Sequence, residues 1–209
     1  MVDHKHLSGL KPPTYKYRDL IENKLVYTLN PWLNDSKKSG GAAMQYRRSD
    51  TPGGAYFFTV VTHDRRPWLH EPLCIKVLGD VMRHVRTQRP FETLAMVVMP
   101  DHLHAIWRLP SEDADFSTRW MLIKQGVVHR LRGRTGVATL WQSRFWEHAL
   151  RDDRDVEQHA HYIHFNPVKH GLVQQVCDWP HSTFHRYVKN GVYPADWGTA
   201  PGVLSGVRE

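Results

Sequence analysis

Cysteine is almost absent. Cys74 and Cys177 are the only two in 209 residues. They form no metal-type pair, and Cys74 falls on a helix-like apolar pattern that marks it as a core thiol. Two reduced thiols fit a cytosolic protein and exclude a disulfide-built scaffold. No apolar run approaches the ~20 residues that a bilayer-spanning helix needs, so no membrane role is expected. The first residues, with Asp3, His4, Lys5 and His6, contain no apolar block and do not read as a secretory leader. A His-Glu-x-x-His helix is missing, which removes the ligand set of a common class of zinc hydrolase. No aromatic strand of the RNA-recognition type is present, and no repeat of solenoid length.

Acidic residues are outnumbered, 21 against 28 basic ones, leaving a net charge of +7 and a pI near 9.5. That excess favours a polyanionic partner. Apolar content of 41% and charged content of 23% are ordinary for a globular protein. The unusual riches are 15 histidines and 8 tryptophans. Both types suit a site that handles phosphates, metals or unstacked bases.

Residues 1 to 43 break every periodicity, through Pro12-Pro13 and the run Asn34-Asp35-Ser36-Lys37-Lys38-Ser39-Gly40-Gly41. They read as an extension or linker. An upstream misread start or a cloning remnant fits equally well. A catalytic-type domain is expected over 44–197, with a flexible tail over 198–209. Within it, Gln45 to Gly54 is a basic, turn-rich arm carrying Arg47 and Arg48. Ala55 to Thr62 is aromatic and β-branched, a strand. Pro72 to Gln88 repeats Leu73, Val77, Val81 and Val85 at helical spacing. Glu92 to Met99 and His102 to Leu109 are two strands joined by the turn pair Pro100-Asp101. Phe116 to Arg132 is a second helix, with Trp120, Ile123, Val127 and Leu131 inward and Arg119, Lys124, Arg130 and Arg132 on its other side. Trp141 to Leu150 reads as a fourth strand. Asp152 to Phe165 is a further helix, opened by acidic residues that suit its positive end.

The order β-α-β-β-α-β plus an extra helix predicts an α+β, ferredoxin-like antiparallel sheet. Both connecting helices should share one face, leaving the other free for a ligand.

Two stretches carry the chemistry. In His161-Tyr162-Ile163-His164-Phe165-Asn166-Pro167, residues four apart share a helix face, so Tyr162 and Asn166 look at one point. Pro167 disfavours helical geometry at Asn166, which should end the helix there. In Val97 to Trp107, His102 and His104 share one face of a strand while Leu103 points into the core. Three His-x-His pairs occur, at His4/His6, His102/His104 and His159/His161. Only the middle one lies in a strand-like run. Two imidazoles and an amide oxygen form a mixed N/O ligand set of a kind that magnesium or manganese accepts while keeping open positions. A phenol beside such an ion can serve as a nucleophile toward a phosphodiester.

The stretches Tyr46-Arg47-Arg48, Gly53-Gly54, Tyr56-Phe57-Phe58-Thr59-Val60, Met99-Pro100-Asp101-His102-Leu103-His104, Trp141, Phe145-Trp146-Glu147-His148, Tyr162-Ile163-His164-Phe165-Asn166-Pro167-Val168 and Asp178-Trp179-Pro180-His181-Ser182 together resemble the REP-associated tyrosine transposases. These are relatives of single-tyrosine insertion-sequence transposases in the HUH endonuclease superfamily. The resemblance runs in one order from about Met44 to Trp197. It implies that His102 and His104 are metal ligands, Asn166 the third ligand, and Tyr162 the nucleophile. It implies Mg2+ or Mn2+ as cofactor. Its expected substrate is single-stranded DNA in palindromic, REP-like hairpins, cut through a covalent phosphotyrosine and rejoined. Arg47 and Arg48 would touch DNA, and the basic side of the second helix (Arg119, Lys124, Arg130, Arg132) would track the backbone. A bacterial cytoplasmic, nucleoid-associated protein is expected, as monomer or homodimer. A non-catalytic nucleic-acid-binding module on the same sheet is the alternative.

Overall fold

The structure is a computed structural model that describes residues 51–134 and 139–198. The extension 1–43, the expected domain start at Met44, the arm residues Arg47 and Arg48, and the tail beyond Gly198 lie outside the described residues.

The chain runs β1 (Ala55–Val61), α1 (Pro72–Gln88), β2 (Glu92–Val98), β3 (His102–Arg108), α2 (Phe116–Leu131), β4 (Trp146–Leu150), α3 (Asp153–Lys169) and α4 (Phe184–Lys189). The four strands form one sheet in the order β2-β3-β1-β4, with every neighbouring pair antiparallel. This is the expected ferredoxin-like α+β plan. Pro100-Asp101 makes the expected two-residue turn, closed by the Met99 N–H donating to the His102 carbonyl at 2.8 Å.

Side chains alternate across a strand, so β1 and β3 each sort their residues onto two faces. Tyr56, Phe58 and Val60 join Leu103, Ala105 and Trp107 on one face, beneath Leu78, Val81 and Val85 of α1 and Trp120, Ile123 and Val127 of α2. Trp107 and Trp120 stack with ring centroids 4.1 Å apart. Gly126 admits α1 closely: a Cβ there would fall 2.8 Å from Val81 Cγ1.

The opposite face is not free. Helix α3 lies across it, seating Ala160 and Ile163 against Phe57, Leu94, Ala95, Val97, Met99 and Ile106. The extra helix carries its own apolar stripe, and that stripe needs a sheet to cover it. The fourth strand is also shorter than expected. Trp141 makes only an isolated bridge to Thr62, and the regular pairing begins at Trp146.

Helix α3 continues past Asn166. Its end is set by Gly171 rather than by Pro167. Gly171 adopts a left-handed φ of 66°, with Gly171 N–H bonding the Val168 carbonyl and Leu172 N–H the Pro167 carbonyl. That is a glycine helix stop, and it leaves Asn166 one turn inside the helix. At the other end Asp152 caps α3, accepting from the Asp155 N–H at 2.8 Å. Beyond α3 the chain returns along β2. Val98 N–H bonds the His181 carbonyl, Trp179 Nε1 donates to the Val98 carbonyl, and Thr183 N–H bonds the Met96 carbonyl. This segment covers what would be an open sheet edge.

Candidate active site

The site lies on the α3 face. Thr59 and His104 are direct cross-strand partners, and Val61 faces His102. His102 and His104 are both buried, with ring centroids 4.8 Å apart. Each ring is held by one nitrogen. Asp101 takes His102 Nδ1 at 2.6 Å, and Thr59 Oγ1 meets His104 Nδ1 at 2.9 Å. The remaining nitrogen of His104, Nε2, is buried without a hydrogen-bond partner. Burial, with His102 and His170 beside it, holds His104 well below the ordinary histidine range. A neutral imidazole fixed through Nδ1, with Nε2 bare, is the state that ligates a metal.

Asp101 is itself braced. Burial would raise its carboxyl, but His102 and Arg65 outweigh that and hold it down at about 2. Arg65 Nη1 reaches it at 2.9 Å, from a turn in which Asp64 and Arg65 both adopt left-handed φ angles of 53° and 51°. Non-glycine residues in that region carry strain, and here it directs a guanidinium at the carboxylate behind His102.

Helix α3 presents Tyr162, Asn166 and His170 along this face. The Tyr162 ring lies edge-on to His104 at 5.4 Å and 6.0 Å from Phe57. Asn166 is fully buried, and neither amide atom makes a hydrogen bond of good geometry. Burial raises the Tyr162 phenol above its ordinary value, and the neighbouring Asn166 side chain opposes that rise. The Lys169 ammonium sits 5.2 Å from the centre of the Tyr162 ring. His170, which caps α3, keeps an exposed surface and lies 5.6 Å from His102; partial desolvation of the ring, with His102 and Lys169 beside it, pushes its imidazole down to about 4.

The expected residues His102, His104, Tyr162 and Asn166 are therefore gathered in one place. An orphaned imidazole nitrogen and an orphaned amide in a buried setting are costly unless something binds them. The donor set fits a divalent ion. Lys169 and His170 were missed in the sequence. The spacing signal was there, since both follow Tyr162 by seven or eight residues and so share its helix face.

The DNA-contact set fares differently. Arg119 is a correction. It is buried, with its guanidinium in a fork against Asp113 (Nη2–Oδ2 2.6 Å, Nη1–Oδ1 3.1 Å) and on the carbonyls of Arg89, Pro90 and Asp115. It closes the N-terminus of α2 and has no donor turned to solvent. Lys124 bonds the carbonyls of Gln142 and Ser143, fixing the approach to β4. Arg130 and Arg132 are exposed. Arg130 lies on α2 and Arg132 just past its end, across the sheet from Tyr162.

A phenol, two imidazoles and an amide thus meet on a ferredoxin-like sheet, and the class of protein that carries them is a transposase. The family model described as "Transposase IS200 like" matches residues 52–166. A REP-associated tyrosine transposase of Escherichia coli K12 is 48% identical over 157 residues, covering 73% of this chain and 90% of its own. A relative from Haemophilus influenzae is 41% identical over 167 residues, covering 75% of this chain and 94% of its own. A solved structure of a REP-associated tyrosine transposase bound to a REP hairpin matches with a TM-score of 0.70 at 46% identity, covering 80% of this chain and 99% of its own. The chain belongs to the IS200-like transposases and, within them, to the REP-associated tyrosine transposases. Enzymes of this class cleave and rejoin DNA. Among the described residues, no helix is long and apolar enough to cross a membrane.

Proposed function

We propose that this enzyme nicks and rejoins single-stranded DNA beside palindromic, REP-like hairpins, with Tyr162 as nucleophile. The carrying observation is the pair of unpartnered buried groups, His104 Nε2 and the Asn166 amide, beside the Tyr162 ring. The relative that was solved on a REP hairpin supports the substrate class.

The Tyr162 oxygen attacks the scissile phosphorus as the bond to the leaving sugar oxygen breaks. The phenol loses its proton, the departing oxygen gains one, and a phosphotyrosine bond remains. That bond conserves the phosphodiester's energy, so a strand hydroxyl can reverse the step. Because burial raises the phenol, attack at neutral pH needs nearby positive charge. Lys169 is placed to supply part of it. Magnesium or manganese, held by His102, His104 and Asn166, would polarise the scissile phosphate. Asp101 and Thr59 act through the histidines, fixing which nitrogen each ring offers. His170 is placed to exchange a proton near His102. Arg47 and Arg48 would grip the DNA from the arm. Arg130 and Arg132, across the sheet, would hold only DNA that passes round its edge. The bacterial cytoplasm is the expected compartment.

The test is incubation of the purified chain with a REP-like hairpin carrying a single-stranded flank. Manganese should give a nicked strand and EDTA none. Equal binding with and without EDTA, and no nick in either, would instead mark a binding module.

A further inference from the structure

A second group of ligating side chains stands apart from the His102 and His104 rings. His148 on β4 and Asp155 and His159 on the first turns of α3 each offer one donor atom, and these atoms all lie within 4.8 Å of one another. Among the described residues this is the one such cluster of three histidine, cysteine or acidic groups. The sheet places His148 opposite Phe57, on the α3 face. Helical spacing places His159 four residues after Asp155, directly above it.

Three details point to a ligand. First, His159 Nδ1 lies 2.7 Å from the Asp155 carbonyl oxygen. A carbonyl only accepts, so Nδ1 carries the proton and the lone pair falls on Nε2. Second, that Nε2 is buried without a hydrogen-bond partner, in a residue only 2% exposed. Third, the Asp155 carboxylate supports that tautomer. Oδ2 takes the Arg151 backbone N–H at 3.2 Å and Nε at 3.1 Å, while Oδ1 lies 3.2 Å from the same His159 Nδ1. The His148 ring faces His159 at 26° with centroids 5.7 Å apart, and the Trp146 ring stacks on His148 at 5.9 Å.

We propose that His148, Asp155 and His159 form a second divalent-metal site, taking a zinc-class ion and sharing no residue with the His102 and His104 site. Two imidazoles and a carboxylate are the ligands that late first-row divalent ions prefer, with a fourth position open to water. The site is separate from the first. Phe57 packs against a ring of each, 5.3 Å from the His104 ring and 5.1 Å from His159. Its effect is positional: the ion ties the edge strand β4 to the turn of α3 that precedes the nucleophile.

The experiment uses the full chain with His102→Ala and His104→Ala, so that the first site cannot contribute. Zinc is titrated against a chromophoric chelator, and cobalt is used as a spectroscopic probe. One zinc equivalent should bind, cobalt should give a visible d–d band, and zinc should raise Tm. Adding His148→Ala should remove all three, weakening binding by more than about 100-fold, the upper end of what losing a supporting partner costs. Circular dichroism checks that the variant folds; if it does not, Asp155→Asn replaces it. Undiminished zinc binding in the folded variant, or none in its parent, overturns the site.

Discussion

The two faces of one sheet follow opposite rules. On the α1–α2 face, Phe58, Trp107 and Trp120 pack into a dry core of aromatic and aliphatic groups. On the α3 face, the same strands bury Thr59, His102 and His104, and the helix above them buries His159 and Asn166. The first face hides almost only apolar bulk, its exceptions being the indole N–H groups of Trp107, Trp120 and Trp141, which lack partners. The second hides imidazoles and an amide, several of them without partners, at a cost in stability; in the proposed function these are the groups that would meet metal and DNA. Neighbours on a strand thus face different surroundings: Leu103 the apolar core, His104 the Tyr162 ring.

Substitutions should separate the two faces. The largest stability effects belong to the dry side. Trp120→Ala should cost roughly 3–5 kcal/mol through its cavity, read by urea denaturation. Asp113→Ala should cost a similar amount, on the order of 3–5 kcal/mol, because it strands the buried Arg119 guanidinium. This pair also sets a pH dependence. The Arg119 hydrogen bonds, helped by nearby charge, hold the Asp113 carboxyl below its ordinary value. A depressed carboxylate contributes stability that is complete above pH ~4 and is lost as pH falls through its folded pKa. Acid titration of Tm should show a drop below pH ~4 that is smaller in Asp113→Asn, the remainder coming from other depressed carboxylates such as Asp101.

On the polar side the readouts invert. Asn166→Leu removes two unpartnered amide atoms, so Tm should hold or rise by the equivalent of up to about 1–3 kcal/mol while cleavage vanishes. A fall in Tm as large as that of Trp120→Ala would erase the distinction between the faces. The smallest effect is Thr59→Val, which removes only the hydroxyl beside His104 Nδ1. Manganese affinity should weaken roughly 10–100-fold with little change in Tm, measured by titration calorimetry.

Much of this arrangement is legible in the residues. The alternation Tyr56-Phe57-Phe58 and His102-Leu103-His104 sets both faces of the sheet, and the 162/166 spacing puts phenol and amide together. What escapes is whatever depends on partners distant in the chain. Arg119 sits on a basic-looking helix side, yet Asp113 and three carbonyls before α2 turn it inward. Pro167 is a strong local stop signal, but the glycine end at Gly171 and the packing of Ile163 and Val168 carry α3 through it. The covered second face follows from α3's own apolar stripe, which a count of ferredoxin-like elements does not include. Lys169 and His170 were readable as continuations of the Tyr162 face once the helix is known to pass Asn166.

The central claim is that the Tyr162 oxygen becomes covalently joined to DNA. Intact-mass analysis of the enzyme incubated with manganese and a REP-like hairpin measures this directly. The wild-type chain should gain the mass of the cleaved strand, and Tyr162→Phe, with unchanged Tm, should gain nothing. An adduct of the same mass on Tyr162→Phe would place the nucleophile elsewhere and contradict the account.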